Sequence, residues 1–87
     1  VLKTTSDEIF AFAKNDGDDT VIVVCSLNPH ETVSGEVTVD LKDLGIAAET
    51  FDVHDELTGA DFVWGTRNFV LLDPARPAHI LIVRAHH

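Results

Sequence analysis

The sequence predicts an all-β chain: an antiparallel β-sandwich of about seven or eight strands, of Greek-key type. Three observations carry this reading. Apolar residues recur at every second position through most of the chain, the period of a half-buried strand. Helical periodicity is nearly absent. Clusters of Gly, Pro, Asn and Asp separate the alternating runs at short, regular spacing, as in sandwiches and small barrels. A sandwich is favoured because several runs have one clearly polar face. A true immunoglobulin domain is disfavoured, since its Cys-Trp-Cys arrangement is missing and Cys25 is the single cysteine.

In chain order, Glu8 to Lys14 reads as a first strand, with Phe10 and Phe12 on one face. Asn15-Asp16-Gly17-Asp18-Asp19 is a turn, where Gly17 is free to take positive φ and the Asx side chains can bond the backbone. Thr20 to Leu27 follows, with Val21, Val23, Cys25 and Leu27 on one face and Ile22 and Val24 on the other. Apolar residues on both faces predict a central strand covered on both sides for part of its length. The short turn makes these two strands antiparallel neighbours. On this reading a charge placed at Val23 is a buried charge and costs several kcal/mol.

Pro29 breaks the pattern at Asn28 to Glu31, because it cannot donate to a sheet ladder. Gly35 to Leu41 alternates again, with Val37, Val39 and Leu41 inward. Asp43-Leu44-Gly45 reads as one irregular turn ended by Gly45. Four more strands are expected over 50–55, 60–64, 68–72 and 78–84, the last apolar on both faces. Asp73 to Pro77 is a rigid loop.

Length and charge narrow the function classes. The 87 residues allow a single domain, residues 1–87. Acidic residues outnumber Lys and Arg by 15 to 6, for a formal charge of -9. Such a surface repels phosphate backbones and anionic lipid, which argues against nucleic-acid or membrane partners. No signal peptide is visible. The chain starts at Val1 and contains no Met, so it reads as an excised piece of a longer protein. His86-His87 fit a tag remnant and enter no site.

Several side chains could carry chemistry, and each has a plainer reading. His54-Asp55-Glu56 invites a metal site or an acid/base pair. Successive strand residues point to opposite faces, so His54 and Asp55 diverge, and two ligands do not make a zinc site. The plainer role for Asp55 is to bond the backbone of the Leu57-Thr58-Gly59 reversal. Ser26, His30 and an Asp could be drawn as a triad, but no Gly-x-Ser-x-Gly elbow is present. His79, at the start of an apolar strand, reads as a half-buried packing residue. Cys25, among Val neighbours, reads as inert packing. Asp16, Asp18 and Asp19 resemble a calcium loop without its Gly and distal Glu, and read as a solvated hairpin tip. Phe62 and Trp64 share a strand face and suit either a core pair or a sugar-stacking platform, with burial of Trp64 the preferred reading. No residue is assigned as catalytic, cofactor-binding or metal-ligating, and no cofactor is expected.

Several stretches resemble the C-terminal domain of maltose-1-phosphate maltosyltransferases, enzymes of the α-amylase superfamily (glycoside hydrolase family 13). They are Phe10 to Lys14 before an acidic turn, Val23 to His30, Val37 to Leu41 with Leu44-Gly45, Val53-His54-Asp55-Glu56-Leu57-Thr58-Gly59, Trp64-Gly65, Asn68 to Pro74, and Pro77 to Ile80. The resemblance covers nearly the whole chain, in order. The chain departs from it at Ser26 and Asn28, where the family tends to read Asn and Asp, and at Phe69 and Leu71, where Tyr and Arg are frequent.

The resemblance implies a parent glycosyltransferase that moves a maltosyl unit from α-maltose 1-phosphate to an α-1,4-glucan with retention. Its aspartate nucleophile and glutamate acid/base lie in a preceding (β/α)8 barrel, so none falls in these residues. It further implies a non-catalytic sandwich packed on that barrel, within a cytoplasmic, bacterial, homodimeric enzyme. A weak α-glucan contact, through a carbohydrate-binding role, is the alternative, and an unrelated cell-surface sandwich is a second.

Overall fold

The computed structural model describes residues 2–16 and 19–84, with the side chains of Asp16 and Asp19 left out. Gly17, Asp18 and His86-His87 therefore lie outside the described residues. Among these the chain forms β1 (Lys3–Thr4), β2 (Ile9–Asp16), β3 (Asp19–Ser26), β4 (Val33–Thr38), β5 (Phe51–Asp55), β6 (Asp61–Trp64), β7 (Arg67–Leu72) and β8 (Ala78–Arg84). No helix among them is long and apolar enough to cross a membrane.

The strands make two sheets, β2-β3-β8-β5-β6 and β1-β4-β7. Every pairing is antiparallel. Only the β2–β3 and β5–β6 connections stay within one sheet; each other connection carries the chain across to the opposite sheet. The two sheets thus share one interior, built from side chains of both.

Period two decides what enters that interior. Ile9 and Ala11 of β2, Ile22 and Val24 of β3, Phe51 and Val53 of β5 and Leu81 of β8 are buried from the larger sheet. Val33 and Val37 of β4 and Val70 and Leu72 of β7 meet them from the smaller one. Val39 continues the pattern just past β4, its amide donating to the Thr66 carbonyl at 2.8 Å. Each fully buried Ile, Leu or Phe contributes roughly 1.5–3 kcal/mol by leaving water.

Val37 and Val39 are inward as the sequence reading has them, while the strand begins two residues earlier and Leu41 lies past it, half-buried against the core. On β3 the buried face is Ile22 and Val24, while Val21, Val23 and Cys25 are only half-buried on the outside. The expectation that a charge at Val23 is a buried charge is therefore corrected: that position belongs to Val24. Period two alone gives two faces and no label for which one is inside.

Two local devices hold the loops. The Asp40 carboxylate accepts from the Lys42 and Asp43 amides at 3.0 and 3.3 Å, capping the single turn that Gly45 ends with φ of 72°. Asn68 is buried and bridges the strand ends: its Oδ1 accepts from the Gly65 amide at 2.7 Å, and its Nδ2 donates to the Gly65 and Val37 carbonyls. It was not among the residues singled out from sequence, where it stands in an ordinary alternating run.

Candidate functional site

The most polar point of the interior is Asp55, fully buried at the end of β5. It faces inward because it continues the Phe51–Val53 face. Its Oδ1 accepts from the Leu57 amide at 3.0 Å and the Ile80 amide at 3.3 Å. Its Oδ2 accepts from the Thr58 hydroxyl at 2.9 Å and sits 2.5 Å from His79 Nδ1. The 57–59 reversal closes on the same carboxylate, with Gly59 at φ of 76°, in the left-handed region.

His79 lies on the inward face of β8, opposite Val24, and Asp55 stands opposite Leu81. The two are diagonal neighbours across β5 and β8. Burial alone would raise the Asp55 carboxyl. The hydrogen bonds from His79, the Leu57 amide and Thr58, with the attraction of His79, outweigh it and hold the carboxyl below its ordinary value of 3.8. A carboxylate only accepts, so Nδ1 of His79 carries the proton between them. The Phe62 ring meets the His79 ring edge-on, with centroids 6.1 Å apart. A cleft of about 220 Å³ opens beside them between the two sheets, with Phe62, Trp64, Phe69 and His79 among its walls.

An Asp–His pair is two-thirds of a nucleophilic triad, and among the described residues the nearby hydroxyl and thiol groups do not complete it. Cys25 pairs with Ala78, on the outer face of the sheet, while His79 points to the inner one. The Ser26 hydroxyl is spent in a local turn, donating to the Asn28 carbonyl at 2.9 Å and accepting from its amide at 3.0 Å. The Thr58 hydroxyl bonds the carboxylate rather than the imidazole. The Asp55–His79 pair therefore acts as a tie between β5, β8 and the 57–59 turn.

The remaining sequence candidates are dispersed. His54 and Asp55 point to opposite faces as expected, and His54 Nδ1 lies 2.7 Å from Asp61 Oδ1 on the outside. Glu56 is exposed. His30 is exposed in its loop, with its amide donating to Asn28 Oδ1 at 3.1 Å. Trp64 is buried, 6% exposed, while Phe62 is 41% exposed. The two do not form a flat platform, because only Phe62 presents its ring to solvent. Cys25 is half-buried on the outer face and not part of the core. Among the described residues no three His, Cys, Asp or Glu side chains gather at metal-ligand distances. A hollow of about 560 Å³ lies between Leu2 and the 38–43 segment. Its Asp40 is already engaged as a cap.

Comparison with known proteins places this geometry. The family model described as "GLGE, C-terminal" matches residues 1–83. A maltosyltransferase of Streptomyces coelicolor, "Alpha-1,4-glucan:maltose-1-phosphate maltosyltransferase 2", is 42% identical over 83 residues, covering 93% of this chain and 12% of its own length. The enzyme of the same name from Salinibacter ruber is 41% identical over 81 residues, 91% of this chain and 12% of its own. That of Mycolicibacterium smegmatis is 38% identical over 80 residues, 87% of this chain and 12% of its own. The chain thus spans about an eighth of the length of these relatives.

Proposed function

Because this chain belongs to the GLGE C-terminal family, we propose that it is the non-catalytic C-terminal sandwich of an α-1,4-glucan:maltose-1-phosphate maltosyltransferase. The observation that carries this is the match of nearly the whole chain to one short part of enzymes bearing that name. The geometry supports it from the other side: the Asp, His and Ser side chains that could do chemistry are engaged in bonds that hold strands and turns. The reacting groups belong to the rest of the polypeptide, and this domain stabilises the enzyme in the cytoplasm by packing on its catalytic part.

The test is phosphate release from maltose 1-phosphate in the presence of an α-1,4-glucan. Residues 1–87 alone should release none, and the full-length polypeptide should release phosphate as the glucan grows. Turnover by residues 1–87, or a full-length polypeptide inert with both substrates, refutes the reading.

The cleft between Phe62 and Phe69 favours a second reading, an α-glucan contact, since exposed aromatic faces accept sugar rings. Trp64 lines that cleft, so maltooligosaccharide at millimolar concentration should shift its emission. An unchanged spectrum removes this reading.

A further inference from the structure

Over β2, β3 and β8 the five-stranded sheet is apolar on its outer face as well as its inner one. Cross-strand partners there form two adjoining rows, Phe10–Cys25–Ala78 and Phe12–Val23–Ile80. Neither row holds a charge, in a chain with 15 acidic residues. Val21 and Ile82 extend the patch by one row, which Lys14 closes at one side and His54 at the other. Beyond it Asp52 pairs with Arg84. An apolar centre inside a charged rim is the anatomy of a protein interface. Eight apolar positions, with strands about 4.8 Å apart and rows about 6.8 Å apart, give a footprint of about 260 Å², close to the roughly 300–600 Å² of a monomer's largest apolar patch, which is often functional. An antiparallel sheet with one wet face carries polar residues there, and these rows of β2, β3 and β8 do not.

From this we infer that the outer face of β2, β3 and β8 is the surface on which the catalytic part of the same polypeptide docks. The inference rests on the reading above and adds which face is used. Two features name the occupant. The relatives devote 12% of their length to this region, so most of each polypeptide is available to cover it. The Leu2 amide donates to the Ala11 carbonyl at 2.8 Å, so Leu2 lies against β2, the edge strand that carries Phe10 and Phe12. In the longer polypeptide the preceding part arrives at the margin of the patch.

Cys25, in the first row, is the natural reporter. The experiment is maleimide labelling followed by peptide mass mapping, on the full-length polypeptide and on residues 1–87. Labelling of Cys25 should be at least tenfold slower in the full-length polypeptide. In that polypeptide Val23→Arg should speed it at least tenfold while the Ile22 and Val24 amides stay protected from hydrogen exchange. Phe69→Ser, on the other sheet, should leave it unchanged. The Val23→Arg arm reads the docked face within the full-length polypeptide, whether or not residues 1–87 fold alone. Equal labelling of the wild-type polypeptide and its Val23→Arg variant overturns the inference. So does protection in residues 1–87 that fades on dilution, which would make a second copy the occupant. Maltosyl transfer with Cys25 unprotected removes the docking face and leaves the function; protection without transfer removes the function and leaves the face.

Discussion

Replacing Asp55 with alanine should be the most damaging single polar change in this domain. The carboxylate is fully buried and gathers four donors: the Leu57 and Ile80 amides, the Thr58 hydroxyl and the His79 ring. Leu57 and Thr58 are exposed and can turn to water, so their loss is worth about 0.5–1 kcal/mol each. His79, 17% exposed in its side chain, and the Ile80 amide are stranded in partly buried positions, at about 1–3 kcal/mol each. The sum runs from about 3 to about 8 kcal/mol, and even about 4 is a large share of the total stability of about 5–10 kcal/mol of a small domain. Urea unfolding followed by the fluorescence of buried Trp64 reads this directly. With a slope of about 1 kcal/mol per molar, the midpoint should fall by about 3 M or more. Asp55→Asn keeps the shape and the Oδ1 acceptor, and the Thr58 hydroxyl can rotate to accept from the new amide. It should restore more than half of that loss. An Asp55→Ala midpoint within about 0.5 M of the parent would refute the reasoning, since it would mean the four bonds cost as much to make as they return.

The same carboxylate sets a pH dependence. Its folded value lies below the ordinary 3.8, so as pH falls the unfolded chain binds the proton first. The stabilisation is whole above that ordinary value and is lost as pH drops through the lower folded one. Between pH 4 and 2 the urea midpoint of the parent should fall more steeply than that of Asp55→Asn, which has no proton to take up there; parallel curves would contradict this. Val24→Asp should yield no folded protein, because Val24 is wholly buried. Val23→Asp, on the half-buried outer face, should cost about 1 kcal/mol and lower the melting temperature by about 4–8 °C; a larger loss at Val23 than at Val24 would mean the faces are reversed. Asn68→Ala leaves the Gly65 amide and two carbonyls without their partner, at about 1–3 kcal/mol. Hydrogen exchange at Gly65 should quicken accordingly.

Much of this architecture is legible in the sequence because period two is a local signal. It places seven strands to within a few residues, and it sets Val37 and Val39 inward, as found. It also separates His54 from Asp55 and hands Asp55 to its turn, both of which the hydrogen bonds show. What it misses is non-local. β1 is two residues long, too short to carry a period. The Asp55–His79 tie joins positions 24 apart, and nothing in either local run announces it until β5 and β8 are known to be neighbours. The inner and outer faces of β3 are both apolar, so alternation alone does not say that Val24 rather than Val23 is in the core. The same two-faced apolar pattern is the sequence trace of the docking face proposed above.

The central claim is that this domain serves its enzyme through its fold and contributes no reacting group. The most direct measurement is the initial rate of phosphate release by the full-length polypeptide carrying Asp55→Ala, at a temperature where its core amides remain protected, together with its half-life on heating. The expected result is an initial rate within about twofold of the parent and a half-life shortened at least tenfold. A rate that collapses while the fold is intact would contradict the claim and put Asp55 or His79 in the chemistry.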